Sequence, residues 1–108
     1  MIFEIFKSQS GEKFYFRLKT DDGNVVLSSQ GYASKDSCKN GTTSVKNNAG
    51  EDDNYEIKQS ANGKWFYNLL AKNKQVIGTS QMFDSEEAME AERSATKQAA
   101  AATVVDLT

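Results

Sequence analysis

Histidine and proline are absent from this chain of 108 residues, and cysteine occurs once, at Cys38. Each absence removes a class of chemistry. Without histidine the chain lacks the commonest general base and metal ligand near neutral pH. A zinc site needs several Cys or His ligands, and one cysteine is too few. No intrachain disulfide can form, so folding does not depend on an oxidising compartment. The lack of proline leaves every segment free to enter a helix or a strand. No apolar run approaches the roughly 20 residues that cross a bilayer. The segment MIFEIFK has none of the marks of a secretory signal, which makes the cytoplasm the simplest location. Neither sign of charge dominates: seven basic and eight acidic residues precede Tyr55, six and seven follow from there, and the net charge is -2. Gly11, Gly23 and Gly31 stand alone, so no phosphate-binding loop or dinucleotide fingerprint is present. Neither a cofactor nor a metal is expected.

What is present is ordinary for a globular domain: 38% apolar and 26% charged residues. The length fits one domain, 1-108. Within it the sequence repeats itself. The hairpin Phe14 to Ser29, FYFRLKTDDGNVVLSS, returns 51 residues later as Trp65 to Ser80, WFYNLLAKNKQVIGTS. Phe3-Glu4-Ile5 returns as Tyr55-Glu56-Ile57, and Ser8 and Gly11 as Ser60 and Gly63. Lys13, Leu18, Val25, Ser29, Ser34 and Lys46 recur as Lys64, Leu69, Val76, Ser80, Ser85 and Lys97, while Tyr32 matches Phe83. Such a density of matches, at a displacement of 52 up to Gly11 and of 51 from Lys13, with one extra residue in the first copy near Glu12, marks an internal duplication, with copies at about 1-54 and 55-108.

Each copy reads as three strands and a helix. Ile2 to Lys7 alternates in period two, with Phe3 and Ile5 on one face. Phe14, Phe16 and Leu18 point one way and Tyr15, Arg17 and Lys19 the other. Asp21-Asp22-Gly23 supplies a turn before the β-branched run Val25-Val26-Leu27. Ser34 is the expected N-cap of a helix whose stripe is Cys38, Thr42, Val45 and Ala49. The second copy repeats the order, with a helix from Ser85 carried by alanine to about Ala102 and then a β-prone tail, Val104 to Leu107. The alternation places Phe14, Phe16, Leu18, Trp65, Tyr67 and Leu69 against the helices. The tail is expected to be an integral strand with one face buried.

The segments FEIFK, GEKFYFRLK, GNVVLSSQGYASK and NGTTSVKNNA, with YEIKQSANGKWFYNLLA and QVIGTSQMF in the second copy, resemble the YegP-like family of small bacterial proteins. The resemblance covers nearly the whole chain. It implies an α+β fold of tandem β-β-β-α-β repeats, forming one antiparallel sheet with two helices packed on one face. The copies would exchange their terminal strands, one lying near Asn54 to Ile57 and the other at Val104 to Leu107. The family supplies no activity and no catalytic residues to carry over. In the second helix Arg93 stands where the family has an apolar residue. Either the helix rotates and packs through Ala88, Met89, Ala95 and Ala99, or Arg93 lays its methylenes on the sheet and keeps its charge in water.

The remaining chemistry is sparse. Cys38 near a helix start suggests a thiolate nucleophile, but its place on the apolar stripe favours an inert core residue. Glu51-Asp52-Asp53 lacks the ligand spacing of a calcium loop and reads as a solvated connector. Lys13 to Lys19 interleaves basic and aromatic residues as an RNA-binding strand does, yet a pI of 5.1 disfavours nucleic acid. Glu4 and Glu56 are the carboxylates an enzyme would use; their matched positions in two copies point instead to a shared structural role. The favoured class is a non-enzymatic binding module. Its candidate surface is the outer sheet face, with Tyr15, Arg17, Lys19, Phe66, Asn68 and Leu70. A homodimer or another protein would meet that face or an edge strand.

Overall fold

The computed structural model describes residues 1-108. The elements follow the repeat: β1 (Ile2–Lys7), β2 (Phe14–Lys19), β3 (Val25–Ser28) and α1 (Lys35–Asn48), then β4 (Tyr55–Gln59), β5 (Trp65–Leu70), β6 (Val76–Thr79) and α2 (Glu86–Thr96), and last β7 (Thr103–Asp106). Short 3-10 turns at Asp52–Asn54 and Lys97–Ala101 lead into β4 and β7. The seven strands form one sheet in the order β4-β5-β6-β3-β2-β1-β7. The fold is α+β, as the sequence and the resemblance both imply.

Local chemistry sets the boundaries. The Ser34 and Ser85 hydroxyls accept from the Ser37 and Ala88 backbone N–H groups, each at 3.1 Å, capping the two helices. Gly23 turns the first hairpin at φ 89°, and Lys74 holds the equivalent position at φ 70°, a left-handed conformation uncommon for a side-chain-bearing residue. The α-helical part of α2 stops at Thr96 rather than near Ala102; the alanine-rich stretch tightens into the 3-10 turn instead.

Two expectations about the sheet are corrected. The sheet is mixed: β1 to β6 pair antiparallel, but β7 runs parallel to β1, with Ile2 opposite Thr103 and Ile5 opposite Asp106. The 3-10 turn after α2 packs against α1, so the chain emerges beside the first copy and enters the sheet along β1. The exchange of terminal strands is the one the resemblance implies: β4, the strand after α1, pairs with β5 of the second copy, and β7, the strand after α2, pairs with β1 of the first. Nor does β7 bury a face. All four of its residues are exposed, because it lies at the sheet edge, where α1 meets it through the Lys35–Asp106 ion pair and no helix covers its side chains.

Both helices cover one face. Phe3, Ile5, Phe16, Leu18, Leu27, Tyr67 and Leu69 are fully buried there, as are Cys38, Val45 and Ala49 of the α1 stripe. Phe14 and Trp65 are half-buried at the strand starts, where they bridge to Tyr32 and Phe83. The halves meet at β3 and β6 through the pair Ser28 and Thr79. Beside that seam a Cβ on Gly78 would stand 2.6 Å from the Leu27 side chain, so the small residue of one copy accommodates the large residue at the same repeat position in the other.

Within α2, Met89, Thr96 and Ala99 beyond its end are buried, while Ala88 is exposed and Ala95 half-buried. The rotated-helix alternative thus fails at Ala88. Arg93 lies over the Tyr55 ring, 5.2 Å from its centroid, with its guanidinium paired to Asp52 at 3.0 Å and Glu90 at 2.8 Å. Stacking on an aromatic face and bidentate pairing let a cation occupy an apolar position.

Candidate functional site

The face away from the helices carries a row of side chains crossing six strands in register. It reads Glu56, Asn68, Thr79, Ser28, Arg17, Glu4. The row has the symmetry of the duplication: a carboxylate at each end, a long polar side chain next, and a hydroxyl on either side of the seam. Asn68 donates to Glu56 at 3.1 Å and accepts from Thr79 at 2.8 Å. Arg17 Nε donates to Glu4 Oε1 at 2.7 Å, and Lys19 Nζ lies 3.4 Å from the same oxygen. The Arg17 hydrogen bond, with the charges of Arg17 and Lys19, holds the Glu4 carboxyl below its ordinary range.

The six candidate residues divide into two groups. Tyr15, Arg17 and Lys19 stand on β2, and Phe66, Asn68 and Leu70 on β5. Two strands separate them, about 14 Å at the usual strand spacing. Only the β2 group forms a cluster. Phe6 of β1 stacks on Tyr15 with centroids 5.7 Å apart and planes at 20°, and the Arg17 guanidinium sits 4.6 Å from the Phe6 centroid. Phe6 was not among the candidates, although alternation puts it on the face of Glu4 and would have revealed it. Asn68 is nearly buried and engaged on both sides, leaving the β5 half with the half-buried Phe66 and Leu70.

Other sites offer less chemistry. Cys38 is fully buried and its thiol is pushed up to about 11 by that burial, with the Asp106 charge adding to it, so the reactive thiolate is disfavoured. Asp52 is ion-paired to Arg93 and to Lys97 at 2.8 Å. The acidic connector is solvated, as expected, and through Asp52 it also ties down the end of α2. Of the aromatics in Lys13 to Lys19 only Tyr15 faces outward, since Phe16 is core and Phe14 packs against it. Glu4 and Glu56 lie five strand spacings apart, on the order of 24 Å, too far to act as an acid–base pair. No three His, Cys, Asp or Glu side chains converge. A cleft of about 230 Å³ opens on the opposite side, between α1 and the β5–β6 turn, where Ser37, Asn40, Ser44, Asn73 and Gln75 line it without a charged group. No helix is long and apolar enough to cross a membrane.

Residues 9–56 and 60–106 each match a family model described as a domain of unknown function, DUF1508. A UPF0339 protein in the ptx operon 5' region of Stutzerimonas stutzeri is 50% identical over 84 residues, which span 78% of this chain and 75% of that protein. The UPF0339 protein YegP of Escherichia coli K12 is 42% identical over 88 residues, 82% of this chain and 79% of YegP. The solution structure of E. coli YegP, described as of unknown function, superposes with a TM-score of 0.92 at 38% identity, covering 99% of this chain and 92% of that one. A UPF0339 protein of Shewanella oneidensis gives 0.91 at 36% identity, covering 99% and 91%. With both repeats matched and the whole fold shared, this chain belongs to the YegP-like UPF0339 family.

Proposed function

We propose that this protein is a non-enzymatic binding module that works through the open face of its sheet. The observation that carries this reading is the half-buried cluster of Phe6, Tyr15, Arg17 and Lys19 on a face no helix covers. Aromatic planes next to cations suit a partner with a planar or apolar group beside an anion, as in an acidic peptide or an anionic small molecule. Glu4 balances one of the two cations and fixes Arg17 in place, so the surface is ordered before a partner arrives. We take the chain as a single cytoplasmic domain of two repeats, about 1-54 and 55-108, since one cluster of 16 buried apolar residues draws on both halves and the only thiol is buried and free.

Thermal-shift screening against anionic metabolites and acidic peptides tests the reading, because a ligand that binds only the native state raises its melting temperature. Hits are expected to disappear in the Tyr15→Ala/Arg17→Ala double variant, and to move the amide NMR signals of β1 and β2. Hits that survive the double variant, or that map to the cleft between α1 and the β5–β6 turn, would place binding elsewhere.

A further inference from the structure

β1 and β4 are repeat equivalents, yet their outer edges meet different fates. β7 covers the edge of β1, and Ile5 is fully buried; nothing covers the edge of β4, and Ile57, at the same repeat position, is 40% exposed. Edges usually carry a bulge, a proline or an inward-facing charge that blocks further pairing. β4 has no bulge, proline or inward-facing charge; its one lysine, Lys58, stands on the open face beside Glu56. Its register with β5 is unbroken from Tyr55 to Gln59, and its helix-side residue is isoleucine.

The direction of its backbone groups can be read from the hairpin. Ser60 N–H donates to Lys64 O at 2.8 Å, so by alternation Lys58 and Glu56 face β5 and the backbone of Ile57 and Gln59 faces outward. The Tyr55 N–H agrees, since it turns away from β5 to Asp52 O.

We infer that β4 pairs with β4 of a second copy of this chain, antiparallel and centred on Ile57, joining the two sheets edge to edge about a twofold axis. That register gives each side chain a complement. Ile57 meets Ile57 of the partner subunit on the helix side. On the open face Glu56 and Lys58 each stand opposite the other's counterpart, at directly facing positions where opposite charges attract. Within one chain these two groups approach only to 3.8 Å. A second copy meets the requirement because the strand is its own charge complement, which an isologous contact demands. β7 offers no such match: its only charged residue, Asp106, is already paired with Lys35 at 3.0 Å. An interface of one strand pair is small, so the dimer forms reversibly with concentration.

Sedimentation velocity on the full chain over a concentration series decides this. Wild type is expected to shift from monomer to dimer as concentration rises. Glu56→Lys alone and Lys58→Glu alone, each setting like charges opposite, should stay monomeric. An equimolar mixture of the two should form a heterodimer, and the double swap should dimerise again. Lys58 is nearly half-exposed, so Lys58→Glu should melt as wild type. Glu56→Lys also removes the carboxylate to which the buried Asn68 donates and should melt lower, so its association is read well below its melting temperature. As an independent readout in the unaltered chain, the Ile57 amide should gain exchange protection with concentration. A chain that stays monomeric at about 1 mM, where even weak association is populated, overturns the inference. So does a dimer indifferent to both charge reversals, or growth beyond a dimer, which would signal head-to-tail pairing of β4 with β7.

Discussion

At the scale of single residues, the two copies solve the same packing problem differently. Phe16 and Val45 are fully buried in the first copy. The second copy has Tyr67 and Thr96 at the same repeat positions, also fully buried. Each adds a hydroxyl to a nearly isosteric frame. The Thr96 hydroxyl donates to Glu92 O at 3.0 Å, and the Tyr67 hydroxyl, 2.8 Å away, donates to Thr96. Two coupled changes thus convert an apolar contact into a satisfied polar one. Thr96→Val should cost about 1–3 kcal/mol, because it strands a buried phenol, and Tyr67→Phe about 1 kcal/mol, because Thr96 keeps its carbonyl partner. The double variant should cost less than the sum, since it recreates the first-copy pair. Urea denaturation of the four proteins measures this; strict additivity would show the hydroxyls to be independent. Period-two spacing identified which strand residues face the helices, but it could not show that Arg93 would sit over Tyr55. That contact joins residues 38 apart in sequence and depends on where α2 lands.

At the scale of elements, the N-caps, the strands and the α1 stripe were legible because each depends on neighbours a few residues away. The partner of β7 was legible only through the family resemblance. β4 joins the next strand, β5, in a local hairpin, whereas β7 reaches β1 because the 3-10 turn after α2 packs on α1. The candidate surface was legible as a face but not as a cluster, since the stacking of Phe6 on Tyr15 depends on the β1–β2 register. β7 itself contributes backbone pairing and little buried side chain. A chain ending at Ala102 should therefore still fold cooperatively, but with stability lowered by on the order of 2–4 kcal/mol at about 1 kcal/mol per ladder bond. It would also lose the Lys35 contact to Asp106 and the bond from Leu107 N–H to Ile5 O, 2.9 Å. A truncated protein with an unchanged urea midpoint would show the strand to be dispensable.

For the molecule as a whole, the acidic groups kept neutral by burial define how stability depends on pH. Burial pushes Cys38 up from 9.0 to about 11 and raises the Tyr55 and Tyr67 phenols above their ordinary value of 10.0. Raised folded-state values mean that the unfolded chain releases these protons first, so stability is full below about pH 9 and falls as pH rises through the folded values. The urea midpoint should decline from about pH 9 upward, and Cys38→Ala should flatten the earliest part of the decline. A midpoint constant to about pH 11 would contradict the burial of all three groups. The parallel pairing of β1 with β7 bears on a property of another kind. The amino terminus enters at the start of β1 and the carboxyl terminus leaves from the far end of β7, so tension applied between the two ends pulls these neighbouring strands in opposite directions along their length. Every backbone bond of the pair then resists at once, instead of opening one by one as in a zipper. The first yielding event in a pulling experiment should accordingly be the sliding of β7 from β1, at a force well above that needed when the same pair is pulled across its width.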